Sequence, residues 1–315
     1  MKRGAWIGLV AVLVAAVLGW AWYLAGRDVG TASPFGFGST SGPVDPESPV
    51  GAARPATEPR VIERVAASGV RVRIERRPRI DLPSPPYADR VRELQLAADG
   101  GDLVARYQLG LVLYQCRDAP LDDAGLARAV EEIHQTRTRQ GWDVNDPEQE
   151  EQVLRTTYSQ CAGVPAEART RFRELLRSAA EQGLMEAQLN LMFHLPQAQY
   201  CQFIEDCTPD QARFMAGLRE EARANVLKAR DAGSVEALRT VGGWALNEEM
   251  GTPDDVEAYA HFSAYDQIQQ ASGRERELGV MLAGLRKRLR PVDLERAESR
   301  AKELLSNPKC CVLTR

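Results

Sequence analysis

The side chains able to do acid–base, nucleophilic or metal chemistry are few and scattered. Over 315 residues only His134, His194 and His261 offer an imidazole. None lies in an H-E-x-x-H pair, and neither a G-x-S-x-G elbow nor a P-loop occurs. The cysteines include no C-x2-C pair, so a tetrahedral zinc site is a poor fit. Acidic pairs such as Glu220-Glu221 and Asp254-Asp255 suit solvated faces or helix N-termini, where carboxylates favour the dipole. No catalytic residue, metal or cofactor is therefore expected. The rival reading, an envelope enzyme cutting cell-wall glycan through a carboxylate pair, needs a pocket with two inward acids and a raised pKa.

The six cysteines make sense as structure. Outside the cytoplasm an even count reads as disulfides. Cys116 and Cys161 bracket one stretch of chain, Cys201 and Cys207 another, and each pair is expected to close its own loop. The adjacent Cys310 and Cys311 fall at a terminus expected to be mobile, where they would pair with each other or cross-link chains.

What positions these residues is read from the N-terminus onward. Ala5 to Ala25 is an uncharged run that as a helix would span ~31 Å, close to the hydrocarbon thickness of a bilayer. Trp6 stands at one end and Trp20, Trp22 and Tyr23 at the other, as interfacial rings do. Lys2 and Arg3 before the span keep the N-terminus cytoplasmic. Residues 1–27 thus predict a single-pass inner-membrane anchor with the rest of the chain in the periplasm or outside. A signal peptide cleaved after Ala21 is the alternative. Residues 28–86 then read as a linker: of the 33 residues from Asp28 to Arg60, 18 are Gly, Pro, Ser or Thr. Within it Val70, Val72 and Ile74 alternate with Arg71, Arg73 and Glu75, a short strand pattern continued by Arg76, Arg77 and Arg79. This basic arm suits anionic lipid or an acidic partner, or is a solvated stretch with a charge cluster.

Beyond Tyr87 the chain favours helix, rich in Ala, Leu, Glu and Arg. A spacing recurs there: Gly101…Ala105…Leu109-Gly110, Gly183…Ala187…Leu191, and Gly233…Ala237…Val241-Gly242. Gly, Ala and an aliphatic residue at steps of four lie on one helical stripe, small enough for a partner helix to approach closely. The stretch 242–273 adds Met250-Gly251-Thr252-Pro253, Asp255, then Ala258, Tyr259 and Phe262, and a closing Gly273. These residues resemble the Sel-one-like repeat, a helix-turn-helix unit of the tetratricopeptide class. The segment Leu289 to Ala301, with Pro291 at a helix start, is similar to the helix that closes such arrays.

The resemblance implies an α/α solenoid over 87–315, all-α, binding another protein or peptide. The intervals of 82 residues from Gly101 to Gly183 and 50 from Gly183 to Gly233 exceed a unit of about 34–40, which places inserts at 117–165 and 195–216. In this class the first helix of each unit lines the concave face. Arg106, Gln108, Gln188, Asn190 and Arg239 then become partner-binding candidates, with Trp142 at the tip of the first insert as a possible anchor, unless these side chains are merely solvated or, for Trp142, folded back on its loop. Nucleic acid is not an expected partner, because the net charge of −4 offers no global basic field. A purely structural spacer is the remaining alternative.

Overall fold

The computed structural model describes residues 60–140, 146–194, 208–247 and 252–314. The apolar span 5–25, the tether up to residue 59, Trp142, Cys201 and Cys207 lie outside the described residues. Among the described residues no helix is long and apolar enough to cross a membrane.

The repeated Gly spacing marks a repeated turn. Helices α1 (Tyr87–Asp99) and α2 (Leu103–Cys116) meet at Gly101, whose φ is +94°. Asp102 N–H donates to Ala97 O and Gly101 N–H to Ala98 O, the paired bonds that close a helix over a left-handed residue. Gly183 at φ +91°, Gly233 at +97° and Gly273 at +86° make the same turn with the same two bonds. Each of the first three turns opens into a helix that carries the Ala of the motif: α2, α7 (Met185–His194) and α9 (Val235–Leu246). Local chemistry starts two of them: Asp102 accepts from Val104 N–H and Ala105 N–H, and the Ser234 hydroxyl from Ala237 N–H.

These first helices pack on second helices. α2 lies against α6 (Phe172–Glu181), α7 against α8 (Pro209–Asp231), and α9 against α10 (Asp255–Ala271). A Cβ on Gly110 would stand 2.7 Å from the Leu176 side chain, and one on Gly242 would stand 2.8 Å from Phe262. The motif glycines thus let α2 and α9 close on their partners. Successive units stack like on like. Tyr114 of α2 meets His194 of α7 edge-on at 4.5 Å, while Arg177 of α6 forms a two-pronged ion pair with Glu221 of α8 at 2.5 and 2.9 Å.

The first insert falls inside a repeat, between its two helices. Helices α3 (Asp123–Gln140) and α4 (Pro147–Cys161) pack on each other, with Tyr158 donating to Asp123, and the short α5 (Ala166–Arg169) follows. The Cys116–Cys161 disulfide ties this insert to the end of α2, both residues fully buried. Arg169 is buried as well, its guanidinium donating to the carbonyls of Val164, Ala119 and Cys161. After α10 come α11 (Gly279–Arg288) and α12 (Pro291–Leu305), and α12 lays Ala297, Ala301 and Leu305 against the end of the stack. Pro291 sits at its first position, where the missing N–H costs nothing.

Two expectations are corrected. The fold is not all-α, because three strands form a sheet in the order β1 (Arg60–Val65), β2 (Arg71–Arg77), β3 (Val312–Thr314). The basic arm is therefore folded, and the linker does not run to 86. The period-2 spacing of Val72 and Ile74 puts both on the core face, 2% and 0% exposed, and Gly69 at φ +83° makes the hairpin turn. Nor is the C-terminus loose. Cys311 N–H donates to Arg73 O, Glu75 N–H to Cys311 O and Val312 N–H to Gly233 O, which adds β3 parallel to β2 and ties it to the third turn. Cys310 and Cys311 are bonded to each other and buried, so neither is presented to another chain.

Candidate functional site

The outer side of α2, α7 and α9 is the surface to which repeat logic points, though on α9 every residue is at least partly buried. Its predicted residues divide by their position after the turn glycine. Arg106 and Gln188 are both five residues beyond it, and both reach back to the carbonyl three residues before it: Arg106 Nη2 donates to Ala98 O at 3.0 Å, Gln188 Nε2 to Ala180 O at 3.1 Å. Each adds a side-chain bond to a carbonyl at the end of the preceding helix that already accepts from the turn glycine. Gln188 is buried, and Arg106 is half-buried with a second bond to the Ser178 hydroxyl, so these two staple repeats together instead of facing a partner.

Gln108 and Asn190 stand seven residues beyond their glycines and face the preceding element. Gln108 Nε2 donates to Asp81 O at 2.8 Å, holding the approach segment onto α2. Asn190 Nδ2 donates to the Tyr107 hydroxyl at 3.1 Å and to Glu186 O, which couples α7 to α2. Burial pushes the Tyr107 hydroxyl up to about 12, against the Asn190 bond and with the Glu186 charge. Both amides are half-buried, so each still offers part of its surface.

Arg239 belongs to the most charged cluster on these helices. Its Nη1 is 3.0 Å from Glu277 Oε1, and the Tyr265 hydroxyl donates to the other Glu277 oxygen at 2.8 Å. Burial opposes the Arg239 charge, but Tyr265, Glu277 and Glu236 outweigh it and hold the guanidinium above its ordinary range. Burial also raises the Glu236 carboxyl, with Arg239 pulling it down and Glu277 pushing it up. Arg239 thus acts on both Glu236 and Glu277. What the cluster does is fix the loop after Gly273 against α9.

The open stripe of the first helices is made by residues the motif did not single out. Val104 and Gln115 follow Gln108's face of α2 at helical steps, with Val104 40% exposed, while Leu111 between them packs partly into the core. Phe193 on α7 is 41% exposed, and its carbonyl accepts from the Tyr114 hydroxyl. Spacing alone could have found them: at about 100° per residue Val104 and Gln115 share one stripe that flanks the one formed by Ala105, Leu109 and Val112. No group of His, Cys, Asp and Glu suited to a metal occurs among the described residues.

His261, three residues along α10 from Ala258, is 1% exposed. Its Nδ1 bonds Glu257 O at 2.9 Å, and Nε2 has no partner among the described residues. Burial lowers its pKa to about 4, against the Glu257 carbonyl bond and helped by Arg230 and Arg300. The Glu257 carboxylate lies 3.4 Å from Nδ1. A depressed folded pKa means that the neutral ring contributes stability above the unfolded value near 6.5 and loses it as pH falls towards about 4. Denaturant unfolding across that window is expected to show a loss on the order of 3 kcal/mol from this residue. His261→Phe should flatten the profile, leaving the share of His194, which burial and then Arg117 lower to about 4 as well. An unchanged slope in the variant would assign the acid sensitivity elsewhere.

Comparison with known proteins finds a likeness to a solved structure. A scan against protein families finds none that matches, and no curated protein matches either. Among solved structures, the chain is similar to c5321, described as a protective antigen present in uropathogenic Escherichia coli strains displaying an SLR fold. That fold is the Sel-one-like repeat. Identity is 17% over 70% of this chain and 49% of that one, with a TM-score of 0.26. The chain thus spans about half the length of c5321. Repeat architecture in this chain rests on its own turns and stacking.

Proposed function

We propose that this chain is a helical-repeat scaffold that binds another protein or peptide and carries out no catalytic step. It would be held at the inner membrane by residues 5–25, with the repeats in the periplasm or outside. The observation that carries the reading is the stacking of α2 on α7 and of α6 on α8, beside which Val104 and Gln115 of α2 and Phe193 of α7 stay exposed. That surface mixes apolar and amide groups, Val104, Gln108, Gln115 and Phe193, with the charged Arg239 cluster on α9. A binding surface needs such anchors amid polar groups, whereas a spacer needs none. The uncharged run after Lys2 and Arg3 supports the anchoring.

Photocrosslinking in the native membrane tests it. A benzoylphenylalanine at Val104 or Gln115 is expected to trap one recurring partner, while the same probe at Arg173 or Arg223, exposed on the second helices, should trap none. Equal capture from both sides of the array would reject the first-helix face.

A further inference from the structure

Residues 60–79 hold seven arginines and two glutamates, a local excess of positive charge in a chain of net charge −4. The hairpin they form leaves β1 at the edge of the sheet, paired with β2 on one side and with no described residue on the other. On β2, Arg73 O and Glu75 N–H are committed to Cys311, hence to β3. Alternation along the strand then turns the peptide groups of Val72, Ile74 and Arg76 towards β1. Their register partners Arg64, Ile62 and Arg60 face back, so the peptide groups of Val61, Glu63 and Val65 point out from the edge. Such a row of outward N–H and C=O groups, of which Glu63 O accepts from the exposed Arg64 Nη1 at 3.1 Å, is a template for one more strand.

The side chains give the template a preference. Arg60, Ile62 and Arg64 share the core face with Arg76 and rim a cleft of about 450 Å³, whose other wall is Gln270 to Gly273 at the end of α10. Arg76 donates to Ser272 O, which fixes that wall, and Ile62 packs against the core at the cleft floor. On the opposite face Val61 and Val65 are 42% and 63% exposed on either side of Glu63. A neighbouring strand running past this edge would set one side chain beside each of Arg60, Ile62 and Arg64. Carboxylates suit the two guanidiniums, which bind them with two parallel hydrogen bonds, and an aliphatic side chain suits the isoleucine.

We propose that the β1 edge takes up an extended acidic peptide as a fourth strand and reads it as acid–x–aliphatic–x–acid. A second copy of the same edge is a worse occupant, because antiparallel pairing centred on Ile62 would oppose Arg60 to Arg64, like charge to like. An anionic lipid surface would use the arginines but not the outward peptide groups, and this difference decides the experiment. The inference does not depend on the face proposed above.

Binding of a fluorescent peptide containing Glu-Thr-Val-Thr-Glu to the full-length chain is followed by anisotropy. A Lys-Thr-Val-Thr-Lys peptide should not bind. Val61→Pro removes one outward N–H and leaves the ladder to β2, since proline is tolerated at such an edge position, and should weaken binding roughly tenfold. Arg60→Glu/Arg64→Glu should weaken it about a hundredfold, and the milder Arg60→Gln/Arg64→Gln by an intermediate factor if the reversed pair folds poorly. Wild-type affinity in Val61→Pro would overturn strand addition. So would loss of partition to anionic phospholipid vesicles in the reversed variant with no effect on the peptide, or no peptide binding by the wild type.

Discussion

Gly233→Ala is expected to destabilise the protein more than the same change at any equivalent turn. All four turn glycines have φ near +90°, where a Cβ costs about 1–2 kcal/mol. At Gly101, Gly183 and Gly273 nothing lies within 4 Å of the added atom, so conformational strain is the whole cost. At Gly233 the Cβ would stand 1.9 Å from Lys309 O and 2.7 Å from its carbonyl carbon. Neither atom is the end of a flexible side chain, so relief requires moving the segment that leads into β3. That movement pulls on the Val312 N–H to Gly233 O bond and on Val312 and Leu313, which are 5% and 1% exposed.

Adding about 1–3 kcal/mol for the overlap gives a total near 3–5 kcal/mol, or a fall in Tm of about 10 °C. Gly101→Ala and Gly183→Ala should fall by less than half as much. Hydrogen exchange at Val312 to Thr314 should accelerate in Gly233→Ala alone. Equal falls in all the variants would mean that the C-terminal strand contributes little to holding the third turn.

This contrast also shows where reading the chain succeeds and where it stops. The four-residue steps from Gly101, Gly183 and Gly233 identify the turns, because a left-handed residue and a small residue one helical turn later are local requirements. The partner across each turn is not local. Nothing within a few residues of Gly233 announces Lys309, and Cys-Cys-Val-Leu-Thr is too short to carry a period, so β3 was invisible. β2 was legible from Val70, Val72 and Ile74, whereas β1 was absorbed into a proline-rich tether whose composition resembles disorder. Among the binding candidates, the polarity of Arg106 and Gln188 predicts exposure, whereas the structure turns both inward to helix-end carbonyls. Whether such a side chain faces solvent or the last carbonyls of the preceding helix depends on how two helices meet, and that angle is a tertiary property.

Breaking the Cys116–Cys161 link should have the other large effect, and by a different route. The bond joins residues 45 apart, and all of α3 and α4 lies within the loop it closes. By chain entropy a closure of that length is worth about 4 kcal/mol, felt chiefly as constraint on the unfolded chain. The folded state should change little in Cys116→Ala/Cys161→Ala, because the core around both positions is held by other groups. Arg169 still bridges the Ala119, Cys161 and Val164 carbonyls, and Val112 and Leu113 remain fully packed. The double alanine variant is therefore expected to keep its helical circular dichroism at 25 °C and to lose about 4 kcal/mol in denaturant unfolding. Reduction of the wild type should reproduce this loss only after unfolding, since both sulfurs belong to fully buried residues. Two measurements decide the matter: unfolding free energy with and without the bond, and the rate at which a thiol reagent reaches the reduced cysteines. A loss under about 1 kcal/mol would mean that the insert stays ordered on α2 in the unfolded ensemble or that the native bond is offset by strain. Rapid reduction of the native protein would mean instead that the insert opens locally, ahead of the repeats it packs against.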